Sequence, residues 1–229
     1  MMVTGTSRGV GRGLAEHYAN RGMTVVGCSR GEATFEHPNY HHAQVDVTDE
    51  KAVREWVRGA KKAHGALDAV IANVGMVRSA LLMPVTAPAL VREFVDSIVM
   101  ATYNVCYEVA KVMIPQRRGR IVTLASTMTA LHEPGTVAYS GAKSAVISMT
   151  KVMARELVSF GITCNVLSPS LVVTDASSRL GDEWKARMLD LQTIKRTVEI
   201  DELCNVVDFF LDDRSACITG QVVHTCLVD

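Results

Sequence analysis

Short apolar runs alternate throughout the chain with longer segments that are compatible with helices. The runs predicted to form strands cover residues 1–4, 24–28, 41–47, 67–71, 120–126, 162–167 and 220–226. The predicted helices cover residues 14–20, 49–64, 85–118, 137–160 and 198–212. Apolar strands joined by helices are typical of a parallel sheet with both faces covered. We therefore predict an α/β fold: one Rossmann-type domain over residues 1–229, with a doubly wound parallel sheet of about seven strands and helices on both faces.

Three local signals refine this outline. Thr48 is predicted to cap the second helix at its N-terminus, and Pro88 is predicted to break the third helix near its start. The polar, mixed segment 177–195 is predicted to form a mobile lid over a substrate.

Composition narrows the classes of partner. The 24 basic side chains are balanced by 24 acidic ones, so we expect neither nucleic acid nor a membrane surface as a partner. No apolar run reaches transmembrane length, and Met1 leads directly into glycine-rich sequence without a signal peptide. The six cysteines are scattered without metal-site spacing. We expect reduced thiols, no metal site and a cytoplasmic location.

A glycine-rich turn follows the first predicted strand and opens the first helix. Glycines allow the backbone to turn tightly and approach a ligand, and a helix N-terminus offers free N–H groups to a phosphate. The GxxxGxG spacing is weak alone, but its place between strand and helix strengthens it. We predict that the turn binds the phosphates of a dinucleotide through Gly5, Ser7, Arg8, Gly9, Val10 and Gly11.

The end of the second predicted strand carries a base where dinucleotide folds usually carry an acid. That acid binds the ribose 2′-hydroxyl, but here Ser29 and Arg30 occupy the position and the first carboxylate is Glu32. An arginine can pair with a 2′-phosphate in a forked geometry, and Arg8 lies close by in the glycine turn. We therefore predict NADP(H) rather than NAD(H) as the cofactor.

A tyrosine and a lysine, Tyr139 and Lys143, are one turn apart in the fourth predicted helix and share one of its faces. A free phenol has a pKa of about 10, and a neighbouring cation is expected to lower it. The pair is suited to passing a proton to or from a substrate oxygen, and Ser126, at the end of a strand, could hydrogen-bond the same oxygen. The spacing alone is short and common.

Polar residues also follow the other strands. Asp46, with Val47 beside it, is placed to bind an adenine amine, and Asn73, Val74 and Gly75 follow the fourth strand. In a parallel sheet the ligand crevice lies at the carboxyl ends of the strands, where the strand order reverses. The glycine turn, Asn73, Ser126 and the segment at Pro169 are all predicted to meet at that edge, which favours one shared site.

Together these residues resemble the short-chain dehydrogenase/reductase family over essentially the whole chain. The matching motifs are TGxxxGxG from Thr4, Asp46, NxG from Asn73, Ser126, YxxxK from Tyr139, and NVLSP from Asn165 leading to Thr174. Residues 75–83 and 218–222 further look like the 3-oxoacyl-carrier-protein reductase branch.

The resemblance implies hydride transfer between a nicotinamide and a carbonyl carbon. It implies that Tyr139 is the general acid in reduction, that Lys143 binds the nicotinamide ribose, and that Ser126 holds the substrate oxygen. Pro169, Ser170, Val172 and Thr174 would lie against the nicotinamide and diphosphate. A homodimer or homotetramer, formed by the long helices, is also implied.

The chain departs from the family pattern at sites that bear on function. Ile98 stands where many members have a catalytic asparagine, and Asn104, six residues on, lies roughly 120° away around a helix. Ser170 replaces the glycine of a usual Pro-Gly pair. Phe160 replaces an arginine of the carrier-protein docking patch, although Arg117, Arg118 and Arg120 remain.

Three functions stay open at this point. The first is an NADPH-dependent ketoreductase acting on a 3-oxoacyl thioester or a related biosynthetic ketone, with carrier-protein delivery left open. The second, raised by Ile98, is a structural or regulatory subunit that binds the cofactor but turns over weakly. The third is an NAD-dependent secondary alcohol dehydrogenase, against which Ser29 and Arg30 argue.

Overall fold

One parallel sheet organises the molecule. The computed structural model describes residues 1–76, 80–174 and 181–228. Its strands are β1 (Met2–Thr4), β2 (Val25–Ser29), β3 (Tyr40–Gln44), β4 (Ala69–Ala72), β5 (Gly119–Leu124), β6 (Ile162–Ser168) and β7 (Val222–His224). They pair in parallel in the order β3-β2-β1-β4-β5-β6-β7. The predicted α/β fold is confirmed, and the strand order reverses between β1 and β4.

Helices connect most of these strands. They are α1 (Gly9–Asn20), α2 (Glu50–His64), α3 (Pro88–Phe94), α4 (Ala101–Gln116), α5 (Met128–Leu131), α6 (Val137–Leu157), α7 (Asp182–Asp190) and α8 (Ile200–Leu211). A π-helical segment, Val95–Met100, joins α3 to α4, and short 3-10 turns occupy Met83–Val85, Val158–Phe160 and Asp213–Ser215. Pro88 does not break a helix as predicted. It begins α3, where its missing N–H costs nothing.

The core has two layers because successive strand residues point to opposite faces of the sheet. In β1, Met2 packs with the layer of α2 and α4, whereas Val3 packs with the layer of α1 and α8. Val70 and Ile71 of β4 divide in the same way. Both faces are therefore covered, which explains why every residue of β1, β4 and β5 is buried.

The connection between β2 and β3 departs from the predicted alternation. Residues 30–39, all of them described, contain no helix. Phe35 from this segment instead packs into the layer of α1 and α8, and its ring stacks on Tyr40 with centroids 4.1 Å apart. A loop with one anchoring aromatic residue therefore covers the sheet here, in a segment for which the sequence predicted no helix.

The N-terminal cap of α2 is Asp49 rather than Thr48, so that prediction was wrong. The Asp49 carboxylate accepts hydrogen bonds from the backbone N–H of Lys51 at 2.8 Å and of Ala52 at 3.2 Å. The Thr48 hydroxyl instead donates to Asp46 Oδ1 at 2.8 Å. A carboxylate at the cap satisfies two free N–H groups and also meets the positive end of the helix dipole.

Within the described ranges, none of the helices is both long enough and apolar enough to span a bilayer.

Replacing the cap residue tests the start of α2. We expect Asp49→Ala to lower the free energy of unfolding by about 1 kcal/mol, because two N–H groups lose their acceptor. Urea denaturation followed by circular dichroism would measure the change. Glu55→Ala is the matched control, since Glu55 is exposed on the same helix and lies 4.0 Å from its partner Lys51. Equal losses in the two variants would contradict this account of the cap.

Candidate active site

A cleft of about 1160 Å³ opens along the carboxyl edge of the sheet. Residues that follow the ends of β1 to β6 all contribute to its walls. Nineteen of the predicted site residues line it, namely Gly5, Ser7, Arg8, Gly9, Val10, Ser29, Arg30, Asp46, Val47, Asn73, Val74, Gly75, Ser126, Tyr139, Lys143, Pro169, Ser170, Val172 and Thr174. Gly11 is the exception.

Gly11 is buried behind the cleft, where it allows α1 to pack against the turn. A Cβ on Gly11 would lie 2.4 Å from both the Gly5 carbonyl oxygen and Asn73 Nδ2, too close for any side chain. Gly5 itself has φ of 73°, a conformation that favours glycine. The close packing brings the start of α1 to the sheet edge.

The start of α1 has the donor set that a phosphate needs. The residue before the helix, Arg8, is extended, and its side chain makes no capping hydrogen bond. The first N–H groups of an uncapped helix attract an anion, and Gly9 keeps the approach clear of a side chain. The residues present therefore fit a dinucleotide pyrophosphate at this turn.

Asn73 braces the crevice where the strand order reverses. Its side-chain Nδ2 donates to the Thr4 carbonyl at 3.0 Å, and its backbone N–H donates to Thr4 Oγ1 at 2.9 Å. The backbone N–H of Val74 donates to the same hydroxyl at 3.2 Å. The end of β4 is thus fixed to the end of β1, which holds one wall of the cleft in place.

Arg30 and Asp46 lie at the far end of the cleft, beyond β2 and β3. The Asp46 carboxylate accepts from the Thr48 backbone N–H at 3.0 Å, which lowers the pKa of Asp46, with a smaller contribution from the charge of Arg30. The Ser29 hydroxyl donates to the Gly31 carbonyl at 3.0 Å. The exposed Arg30 and Arg8 both line this end of the cleft.

Ser126, Tyr139 and Lys143 come together at the other end of the cleft. Ser126 follows β5, and its hydroxyl lies near enough to the Tyr139 phenol, in the first turn of α6, to lower the phenol's pKa. Lys143, one turn further along, is 5% exposed and donates from Nζ to the Leu124 carbonyl at 2.7 Å. The structure therefore brings together the three predicted catalytic side chains.

The electrostatics of this group differ from the sequence-based expectation. Burial raises the pKa of Tyr139, and the nearby Ser126 hydroxyl opposes that rise only in part. Burial also lowers the pKa of Lys143 from 10.5 to about 8. Desolvation disfavours the charged form of each group. The prediction that Lys143 lowers the pKa of Tyr139 was therefore wrong for the protein without a ligand.

Ile98 presents an apolar surface beside Lys143. It is fully buried in the π-helical segment and packs with Phe94 and Val146. A Cβ on Gly75 would lie 3.3 Å from Lys143 Nζ and 3.8 Å from Ile98 Cγ1, so the two side chains border the same small space. Neither a donor nor an acceptor reaches Lys143 from the Ile98 side chain.

Asn104 has a structural position away from this group. Its side-chain Nδ2 donates to the Val47 carbonyl at 3.1 Å and to the Thr48 carbonyl at 3.2 Å. These bonds attach α4 to the connection between β3 and α2. This position agrees with the sequence analysis, which placed Asn104 on a different helix face from the missing asparagine.

The structure adds apolar cleft residues that the sequence analysis did not name individually, two of them within the predicted lid at 177–195. They come from α3, α5 and α7, and include Leu90, Phe94, Leu131, Trp184 and Met188. The four-residue spacing of Trp184 and Met188 on one helix is a signal that could have identified both. Thr127, Met128 and Thr136 also line the cleft, whereas His132 is exposed outside it.

The predicted lid at 177–195 is only partly described. Residues 177–180 lie outside the described residues, and Asp182–Asp190 forms α7. Trp184 and Met188 of α7 line the cleft, and Met188 is 2% exposed. The part of the predicted lid that the structure describes therefore forms a wall of the cleft.

The arginines considered for carrier-protein docking lie at the opposite edge of the sheet. Arg120 contacts Asp213 at 3.1 Å, and Arg118 contacts the same carboxylate at 3.6 Å. Arg117 donates to the Ser159 carbonyl at 2.9 Å. All three border a separate hollow of about 310 Å³ at the N-terminal ends of β5 and β6.

Three potential metal ligands cluster far from the cleft, within the described part of the chain. Their donor atoms, from His17, Asp201 and Cys204, lie within 4.8 Å of one another. Burial raises the pKa of the Cys204 thiol to about 12, so the group keeps its proton at neutral pH.

Known proteins are similar to this chain in sequence and in fold. A family model described as enoyl-(acyl carrier protein) reductase matches residues 5–226. The 3-oxoacyl-[acyl-carrier-protein] reductase FabG of Staphylococcus epidermidis is 32% identical over 233 residues, covering 97% of this chain and 95% of the relative. FabG of Escherichia coli strain K12 is 30% identical over 229 residues, covering 97% and 93%.

Solved structures agree in fold. ElxO with NADP bound has a TM-score of 0.90 at 23% identity, covering 97% of this chain and 95% of that one. The 3-ketoacyl-(acyl-carrier-protein) reductase from Brucella melitensis complexed with NADH has a TM-score of 0.91 at 22% identity, covering 98% and 95%. The chain belongs to the short-chain dehydrogenase/reductase family. Within that family it is similar to the 3-oxoacyl-carrier-protein reductases over nearly its whole length.

Substituting Lys143 tests whether its burial lowers the stability of the fold. The folded protein holds the pKa of Lys143 near 8, so between pH 8 and 10.5 the unfolded chain binds more protons and stability rises with pH. Below pH 8, keeping the charge buried destabilises the fold. We expect Lys143→Met to raise the free energy of unfolding at pH 7 by about 1–3 kcal/mol, after allowing about 1 kcal/mol for the lost hydrogen bond.

This advantage should fade as the pH rises towards 10.5, and urea denaturation at several pH values would measure it. Lys151→Met is the matched control, because Lys151 is exposed on the same helix. Parallel pH curves for wild type and Lys143→Met would contradict the burial argument.

Proposed function

We propose that the protein is an NADPH-dependent ketoreductase that reduces the ketone of a 3-oxoacyl thioester or a related biosynthetic intermediate. The observation that carries the proposal is the meeting of Ser126, Tyr139 and Lys143 in the same cleft as the glycine turn. The similarity to 3-oxoacyl-carrier-protein reductases supports the class of substrate.

Each side chain of this group has a separate role in the proposed reaction. A bound nicotinamide would supply a hydride to the carbonyl carbon, and Tyr139 would donate a proton to the carbonyl oxygen, which together give the alcohol. The raised pKa of Tyr139 keeps the phenol protonated at neutral pH, as a proton donor requires. Ser126 holds the substrate oxygen beside that phenol, and Lys143 binds the nicotinamide ribose. Phe94, Trp184 and their apolar neighbours line the same cleft, which suits the apolar part of an acyl substrate.

The NADP(H) preference is supported by charge at the far end of the cleft. The predicted cofactor class, a nicotinamide dinucleotide, is the class that the solved neighbours hold. At the end of β2, Arg30 is available to a 2′-phosphate, and no carboxylate stands there to bind a ribose 2′-hydroxyl. Arg8, from the turn before α1, adds a second positive charge on the same cleft.

Removing the phenol hydroxyl tests the assigned chemistry. We expect Tyr139→Phe to lower kcat by about 10²- to 10⁴-fold, because the proton donor is lost while the ring remains. NADPH absorbance would be followed with a 3-oxoacyl thioester and with a small β-keto ester. Tyr103→Phe is the matched control, since Tyr103 is exposed on α4. Equal turnover by Tyr139→Phe and wild type would rule out the mechanism.

Ile98 favours a second candidate function, a cofactor-binding subunit with weak turnover. Its apolar side chain borders Lys143 where many family members have an amide. The same assay separates the two functions. Tight NADPH binding with no wild-type turnover across a panel of carbonyl compounds would favour the second candidate.

Cofactor preference follows from Arg30. We expect wild type to bind NADPH more tightly than NADH, and Arg30→Ala to raise the Kd for NADPH about five- to tenfold with little change for NADH, because only NADPH carries the 2′-phosphate. Titration of the protein with each cofactor, followed by fluorescence, would measure both constants. Arg58→Ala, on the exposed side of α2, is the control. Tighter binding of NADH by wild type would instead support the NAD-dependent alcohol dehydrogenase.

We also propose a homodimer or homotetramer. Exposed apolar side chains on α4 and α6, including Tyr103, Tyr107 and Val152, support pairing of these helices. Sedimentation velocity would give the mass, and a monomer at micromolar concentration would exclude the proposal. Delivery of the substrate by a carrier protein stays part of the proposed function. The arginines that prompted it lie at the edge opposite the cleft.

A further inference from the structure

A chain of hydrogen bonds runs beneath the far end of the cleft, from the glycine turn to the loop after β2. The Thr6 hydroxyl lies 2.6 Å from the Tyr40 hydroxyl, which lies 2.7 Å from His42 Nδ1. His42 Nε2 lies 2.9 Å from the carbonyl oxygen of Gly31, the residue next to Arg30. The chain joins both segments that carry the cleft's arginines.

The donor and acceptor in each of these hydrogen bonds can be assigned by starting from the Gly31 carbonyl. The Gly31 carbonyl only accepts, so His42 Nε2 must carry a hydrogen. In the neutral imidazole Nδ1 is then an acceptor and takes the Tyr40 hydrogen. Tyr40 in turn accepts from Thr6 at 2.6 Å, a shorter contact than the 3.3 Å between the Thr6 hydroxyl and the Cys28 carbonyl oxygen. Burial raises the pKa of Tyr40, so its phenol keeps the proton that this arrangement needs. Each of the four groups thus finds a partner.

The surrounding residues are shaped to admit this chain. A Cβ on Gly27 would lie 2.5 Å from the Tyr40 ring and 2.8 Å from Thr6 Oγ1, so only glycine in β2 lets the tyrosine cross to Thr6. Phe35 stacks on the outer side of the Tyr40 ring. The Thr34 hydroxyl adds a parallel connection by donating to the Ser7 carbonyl at 2.9 Å.

The loop that carries Arg30 depends on these bonds for its position. Residues 30–39 lack the helix that usually supports the connection after the second strand of such a sheet. The Gly31 carbonyl accepts from both His42 and the Ser29 hydroxyl, and these two bonds fix the turn one residue after Arg30. A long arginine side chain binds a phosphate well only when its backbone is held in place, because ordering a mobile segment reduces affinity.

We propose that Tyr40 and His42 are positioning residues for cofactor selectivity: through the hydrogen-bond chain from Thr6 to Gly31 they hold Arg30 against the 2′-phosphate of NADPH. The proposal rests on the proposed function and extends it to residues that do not touch the cofactor. Neither side chain lines the cleft. Their effect on binding is therefore transmitted through the backbone of the loop.

Single substitutions in the hydrogen-bond chain test the proposal, with the Kd of each variant measured for NADPH and for NADH. Tyr40→Phe removes one hydroxyl, and His42→Asn removes the nitrogen that reaches Gly31. We expect each to raise the Kd for NADPH about three- to tenfold and to change the Kd for NADH by less than about twofold, since NADH has no 2′-phosphate. His42→Gln can place an amide donor near the Nε2 position, and we expect it to restore part of the NADPH affinity.

The neighbouring histidine provides the control. His41 points to the other face of β3 and stacks against His64, with ring centroids 4.8 Å apart, so His41→Asn should leave both constants unchanged. Thermal unfolding of every variant separates a general loss of stability from a loss of selectivity. An unchanged ratio of the two Kd values in Tyr40→Phe and His42→Asn would overturn the proposal, whatever the change in Tm.

The result also distinguishes this inference from the proposed function. If wild type prefers NADPH and the variants keep that preference, only the positioning role fails. If wild type binds NADH as tightly as NADPH, the assumed cofactor preference itself is wrong, and the positioning role fails with it.

Discussion

The close approach of α1 to the ends of β1 and β4 is the constraint on which the site depends. Gly11 leaves no space for even a methyl group between the helix, the Gly5 carbonyl and the Asn73 amide. This packing directs the free N–H groups of α1 into the crevice where the strand order reverses. Asn73 and Thr4 then fix the two central strands to each other and so hold the wall of the crevice in place.

At the other end of the cleft, the buried polar groups of the proposed active site lower the stability of the fold. Lys143 is held in the core by one carbonyl and an apolar neighbour, Ile98, and its lowered pKa records the energetic penalty of that environment. The same desolvation keeps Tyr139 protonated. Tyr139 holds its proton at neutral pH, and Lys143 loses its proton more easily than a free lysine. A charged ligand bound beside them would shift both pKa values, so the protonation of the pair depends on what occupies the cleft.

At the sheet edge formed by β2 and β3, a loop takes the place of a connecting helix. A loop with one aromatic anchor covers the sheet there. Hydrogen bonds between Thr34 and Ser7 and between Tyr40 and Thr6 attach the loop and the start of β3 to the glycine turn. The two segments that approach the far end of the cleft are therefore coupled. In the more common arrangement a helix would support the second segment independently.

Much of the fold and the composition of the cleft could be predicted from the sequence, because strand periodicity and glycine spacing are local properties of the chain. The parallel sheet, the start of the Tyr139 helix at Val137 and the convergence of Ser126, Tyr139 and Lys143 on one edge followed from these patterns. The direction of the Tyr139 pKa shift did not, because desolvation depends on neighbours that are distant in sequence. Tertiary structure likewise decided that Gly11 is a packing residue, that Asn104 attaches α4 to the segment after β3, and that the arginines near Gly161 face away from the cleft. The sequence by itself thus determined which chemical groups are available, and only the packing of distant segments decided which of them meet and how strongly each is shielded from water.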